Sequence, residues 1–294
     1  MDQASELRKR MAHQSGPRGV SLKTAAVTSG KGGVGKSNVA VNVALALQQE
    51  HNNTLILDTD VGFANVNVLL GSGAGRTLLD LAQPGVLASD VVQTGPLGIS
   101  WISGGTALPD WIQLSRDQVK VCFDKLMDLE STLDWVIVDT GAGLSESSLH
   151  LLESVDQILL VTTPEPTALA DAYAMIKVLV RRSPSARIRI VVNRCRTFSE
   201  GIQTFQRLVQ VSKTFLSFEP GVMGYILEDP AVGRAVFRQT PFVLSAPDSR
   251  AAQCVRQIAR RLMGGEEVAP AESPPSRRGW REFIWKLQHA LGRG

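Results

Sequence analysis

Eight consecutive residues, Gly30-Lys31-Gly32-Gly33-Val34-Gly35-Lys36-Ser37, constrain this chain more than any other stretch of it. They satisfy the pattern GxxxxGK[ST], directly after an apolar run that ends at Thr28 and directly before the helical run Asn38 to Gln49. A strand, a glycine-rich turn and a helix start in that order form a cradle for an anion. Glycines let backbone N–H groups wrap a phosphate, and the helix N-terminus adds the positive end of its dipole. Lys36 reaches the outer phosphates, and the Ser37 hydroxyl can hold Mg²⁺. Gly30 to Ser37, with Asn38 at the helix start, are therefore the candidate phosphate-binding residues.

The rest of the chain reads as the surroundings such a loop needs. Short runs rich in β-branched residues alternate with segments of helical period. The runs predict strands at Thr24–Thr28, Thr54–Asp58, Ile99–Ser103, Trp135–Asp139, Gln157–Thr163, Ile188–Asn193 and Val222–Ile226. Most are too apolar to be half exposed, which suits a mostly parallel sheet covered by helices on both faces. The expected architecture is a three-layer α/β phosphate-loop domain over residues 21–263. An arm, 1–20, precedes it. A proline-rich linker, 264–279, and an amphipathic helix within 280–294 follow it.

Three aspartates stand where such a sheet presents its ligands. Asp58 and Asp60 follow the second strand in Leu55-Ile56-Leu57-Asp58-Thr59-Asp60, at the C-terminal edge where open α/β sheets bind. Asp139 ends Trp135-Val136-Ile137-Val138-Asp139 and runs into the flexible turn Thr140 to Gly143. A carboxylate there can hold Mg²⁺ beside Ser37, which makes Ser37, Asp58 and Asp139 the candidate metal ligands. The competing reading of Asp139 is a cap for the helix expected near Ser145.

The second lysine of the loop, Lys31, is not required by the ordinary motif. With it, KGGVGKS resembles the deviant Walker A signature of the MinD/ParA family of ATPases. The resemblance spans nearly all of residues 21–263 and implies ATP and Mg²⁺ as cofactors and ATP hydrolysis as the activity. It implies that Lys31 reaches across an ATP-sandwiched homodimer, and that Asp60 in the DxDxG segment positions the attacking water. Lys31, Lys36 and Asp60 are thus the expected catalytic residues. Asn193-Arg194 and the segment around Glu228-Asp229-Pro230 resemble the family's adenine-binding corners, which assigns Asn193, Glu228 and Asp229 to the base. Thr140-Gly141 departs from the family, which often has a proline in this turn.

Within that family, Asp58 to Gly71 and Asp229 to Phe242 are most similar to the FlhG or FleN branch of flagellar-number regulators. Asp2-Gln3-Ala4-Ser5-Glu6-Leu7-Arg8 resembles the segment through which that branch activates the GTPase FlhF. The branch also implies antagonism of a flagellar master transcription regulator, and placement at the cell pole on the inner face of the membrane. In the tail, Trp280, Ile284, Leu287 and Leu291 form an apolar stripe with Phe283 beside it, among basic residues. That pattern fits reversible attachment to an anionic membrane surface through Trp280 to Leu291, or packing onto the core.

Composition narrows the alternatives. The three cysteines, Cys122, Cys195 and Cys254, are too far apart for a CxxC pair, which argues against an iron–sulfur carrier and fits a reducing cytoplasm. A tyrosine autokinase needs a tyrosine-rich tail, and the chain has only Tyr173 and Tyr225. Residues 271–294 carry a net +3, equal to the whole chain's excess, so the remainder is balanced. Direct DNA binding is therefore not expected, although Arg250, Arg256, Arg260 and Arg261 give a ParA-type positioning ATPase its best footing.

Overall fold

The apolar runs become strands because nearly all of their side chains are buried, with exceptions such as Arg189 and Arg194 in β7. The computed structural model describes residues 22–60, 65–73, 75–104, 116–183, 185–264 and 284–285. The strands are β1 (Lys23–Thr28), β2 (Thr54–Thr59), β3 (Gln93–Thr94), β4 (Ser100–Ser103), β5 (Trp135–Thr140), β6 (Gln157–Thr162), β7 (Ile188–Cys195) and β8 (Gly221–Leu227). They form one eight-stranded sheet in the order β3-β4-β2-β5-β1-β6-β7-β8. Every pairing is parallel except β3 with β4. All seven expected strands are present. The two-residue β3 is additional, too short to leave a periodic signal.

The helices that flank the sheet are α1 (Lys36–Gln49), α2 (Asn65–Leu70), α3 (Ala88–Val91), α4 (Arg116–Leu126), α5 (Glu146–Ser154), α6 (Pro166–Arg182), α7 (Phe198–Leu216), α8 (Pro230–Phe237), α9 (Phe242–Ser245) and α10 (Arg250–Met263). Helix α1 is buried along most of its length, Val39 to Leu47 included, because it lies between the sheet and α10. A polar residue in that position must find partners inside. Asn42 does so, donating to the Asn38 carbonyl at 2.8 Å and accepting from the Val243 amide at 3.0 Å, which ties α9 to α1.

The core is continuous across the sheet, with Trp101 and Trp135 among its largest fully buried side chains. Its centre places β1, β5 and β2 side by side, so their C-terminal ends converge on the loop after β1. The sequence motifs of Thr28 to Ser37, Asp58 to Asp60 and Asp139 to Gly143 meet there. The arm and the linker beyond Gly264 lie outside the described residues, as does most of the last helix. Of that helix, Ile284 is helical, 3% exposed and part of the core, whereas Trp285 is 55% exposed. Ile284 is the stripe residue among the described ones, and it is the one buried. No helix among the described residues is long and apolar enough to cross a membrane.

Candidate nucleotide site

The loop after β1 has the shape its glycines predict. Gly35 precedes α1 with φ 90°, a left-handed conformation that favours glycine. A Cβ on Gly30 would collide with the backbone carbonyl of Asp171 in α6, so the loop starts flush against that helix. The turn after β5 is tied to the same place. Gly143 donates its amide to the Ser29 carbonyl at 3.1 Å, and Thr140 donates its hydroxyl to the Val27 carbonyl at 3.1 Å.

Lys36 is the hub of the charges. Its Nζ lies 2.8 Å from Asp139 Oδ1, 3.2 Å from Asp60 Oδ2 and 3.4 Å from Ser37 Oγ. Burial alone would lower the Lys36 ammonium, but Asp139 and Asp60 outweigh it and hold it above its ordinary value. Burial pushes the Asp139 carboxyl up, with Lys36 pulling it back. Asp139 is fully buried, and its Oδ2 has no hydrogen-bond partner among the described residues. The helix after it is capped instead by Ser145, whose side chain accepts from the Ser148 amide at 3.2 Å. The structure therefore decides against the cap reading of Asp139.

Asp58 plays a different part from Asp139. Its carboxylate accepts from the backbone amides of Asp60 at 3.1 Å and of Val66, in α2, at 3.3 Å. Burial first, and the nearby Asp139 second, push its carboxyl up to about 7. No group of three or more His, Cys, Asp or Glu side chains among the described residues is arranged to hold a metal. The orphaned Asp139 Oδ2 beside Ser37 and the open space over Gly32 and Gly33 fit a magnesium-bound polyphosphate.

Lys31 sits at the other end of the loop. Its Nζ lies 3.0 Å from Thr167 Oγ1 and 3.4 Å from Glu165 Oε2, both at the start of α6. Sequence reasoning missed Glu165 and Thr167. Their signal was position alone: they follow β6, which neighbours β1, at the sheet's ligand-bearing edge.

At the expected base corner, Asn193 is 9% exposed and its Nδ2 donates to the Val34 carbonyl of the phosphate loop at 2.8 Å. Asp229 caps α8, accepting from the Ala231 amide at 2.8 Å, and accepts from the Ala251 amide of α10 at 3.4 Å. Glu228 is exposed and donates its amide to the Cys195 carbonyl at 2.8 Å. The corner and the loop are thus in direct contact through Asn193.

A mostly parallel sheet with this loop at the end of β1, and carboxylates at the ends of β5 and β2, the next two strands on one side of it, defines a phosphate-loop nucleoside-triphosphatase. The chain belongs to the ParA family: the family model described as ParA, NUBPL iron-transfer P-loop NTPase, matches residues 21–263. Members are ATPases, and so is this chain. The iron transfer in that description belongs to another member; here all three cysteines are free and buried. The chain is 35% identical to the antiactivator FleN of Pseudomonas aeruginosa over 90% of its own length and 92% of that protein's. It is 30% identical to the flagellum site-determining protein YlxH of Helicobacter pylori, over 92% of this chain and 91% of that one. Among solved structures, the septum site-determining protein MinD of Pyrococcus horikoshii complexed with Mg-ADP superposes with TM-score 0.67 at 22% identity, covering 84% of this chain and all of that one.

Proposed function

We propose that this chain is an ATP-switched dimerising ATPase that sets the number and placement of flagella. The observation that carries the switch is the arrangement of its two loop lysines. Lys36 bridges Asp139 and Asp60, so phosphates entering the loop would compete with them for the ammonium, and Ser37 and Asp139 would hold Mg²⁺, which would neutralise the phosphate charge. Asp60 then stands beside the loop to position water, with Glu228, Asp229 and Asn193 flanking the base. Lys31 leans on an exposed glutamate of its own chain, from which a second subunit's phosphates can draw it. Near-full-length similarity to FleN and to a flagellum site-determining protein supports the flagellar reading.

The partners follow from the same reading. They are a second copy of the chain, the GTPase FlhF through Asp2 to Arg8, a flagellar master transcription regulator, and the anionic inner face of the membrane, through Trp280 to Leu291 at the cell pole. Ile284 has to leave the core before that last contact forms. Positioning on DNA finds less support, because three of the four candidate arginines are engaged within the chain: Arg256 with the Pro247 carbonyl, Arg260 with Glu50 and Arg261 with the Met223 carbonyl.

The test uses purified full-length protein with ATP or ADP, measuring its mass by light scattering and its effect on FlhF GTPase turnover. ATP-dependent doubling of mass with faster GTP turnover is expected. ATP-dependent, salt-sensitive binding to duplex DNA with no effect on FlhF would replace this reading with the DNA-positioning one.

A further inference from the structure

Asn193 sits on an irregularity. Along β7, Val192 pairs with Tyr225 and Cys195 pairs with Leu227, so three steps on β7 oppose two on β8. The extra residue makes a bulge, a device that re-aims side chains beside functional sites. Arg194, within it, has φ 56°, in the left-handed region that non-glycine residues adopt at a cost. The product of this distortion is the placement of one amide. Asn193 Nδ2 donates to the Val34 carbonyl at 2.8 Å, and a Cβ added to Gly35 would lie 2.5 Å from the same nitrogen. Both contacts fall on the half of the phosphate loop that turns into α1.

We infer that Asn193 is a positioning residue for the phosphate loop: it fixes the Val34–Gly35 peptide so that the loop's amides face the phosphates. This deepens the nucleotide-switch reading and rests on it. A residue that only read the base would act on base-bearing ligands alone. A residue that shapes the loop acts on any polyphosphate, with or without a base, because the N–H groups that wrap phosphate belong to the backbone it holds. The left-handed Gly35 is the other half of the device, since it lets Asn193 approach without a side chain in the way.

The experiment measures affinity of the full-length protein for Mg²⁺-tripolyphosphate, Mg-ADP and Mg-ATP by competition against a fluorescent ATP analogue, together with ATPase kcat and KM. Three proteins are compared: wild type, Asn193→Asp, which keeps the shape but turns the donor into an acceptor, and Asn193→Ala, which removes the contact without repulsion. Losing a buried hydrogen bond and leaving a carbonyl unsatisfied is expected to weaken all three ligands by a common factor of roughly 10 to 100, and to lower kcat as well as raise KM. Melting curves of the nucleotide-free proteins separate this from unfolding; if Asn193→Asp does not fold, Asn193→Ala carries the comparison. Unchanged tripolyphosphate affinity beside weakened ATP, or KM raised at constant kcat, would overturn the inference and leave Asn193 a base reader. Failure of wild type to bind ATP would instead remove the nucleotide reading itself, and the inference with it.

Discussion

The two ends of the phosphate loop carry the same side chain in opposite surroundings. Lys36 has 7% of its side chain exposed and lies between a fully buried aspartate and a mostly buried one. Lys31 has 41% exposed and meets a glutamate that is 61% exposed. A buried ion pair is expensive to break, because removing one partner strands the other's charge out of water. An exposed pair contributes little and rearranges freely. One lysine is therefore built into the site, and the other is held so loosely that a better partner can take it.

Replacing the buried end gives the largest expected effect. Lys36→Gln removes the only loop charge aimed at the outer phosphates and leaves Asp139 without its partner, so ATP affinity should fall by roughly 100- to 1,000-fold in calorimetry. Undiminished affinity would break the comparison at its stronger end. Asp60→Ala comes next. Lys36 keeps Asp139, so ATP binding should survive, while turnover in a phosphate-release assay falls by roughly 100-fold and ATP-bound dimers accumulate. Normal turnover would remove Asp60 from the reaction.

Acidity sharpens the same contrast. With the Asp58 carboxyl pushed up to about 7 in the fold from an ordinary 3.8, the nucleotide-free protein holds a proton there that the unfolded chain has released. Stability from this source is fully present below about pH 4 and is lost as pH rises through 7. The nucleotide-free protein should therefore be less stable at pH 8 than at pH 6, by roughly 1.4 kcal/mol from this group, and melt at lower temperature. Asp58→Asn should flatten the slope. A slope that Asp58→Asn leaves unchanged would show that Asp58 is already ionised in the free protein. The smallest effect belongs to the exposed end: Lys31→Ala should change stability by about 0.5 kcal/mol or less in denaturant melts. A larger loss would mean that its contact with α6 is part of the fold.

What the sequence reveals of this contrast is uneven, for physical reasons. The loop is legible because its parts are contiguous, and β1, β2 and β5 because strands buried on both faces must be continuously apolar. The cap of α8 is missed: the resemblance assigns Asp229 to the base, and the structure puts its carboxylate on the Ala231 amide. The pairing of Lys36 with Asp139 bridges segments far apart in the chain, and no local pattern encodes it. The same is true of Asn193 and Val34: an asparagine at a strand end predicts a turn or a base contact, and neither the register shift beside it in β7 nor its bond to the loop leaves a local pattern. The tether of Lys31 was hidden because Glu165 and Thr167 look like any helix start. Ile284 was readable as part of an apolar stripe, but periodicity could not choose between a membrane and the core.

The difference between the two lysines is tested most directly by light scattering of wild type and Lys31→Ala with saturating ATP, each paired with a calorimetric measurement of ATP binding. Wild type should bind ATP and double its mass. Lys31→Ala should bind ATP within about threefold of wild type, as expected for an exposed and loosely held charge, and remain a single chain. A Lys31→Ala protein that dimerises as wild type does, or that loses ATP binding as Lys36→Gln is expected to, would contradict the assignment of separate roles to the two ends of the loop.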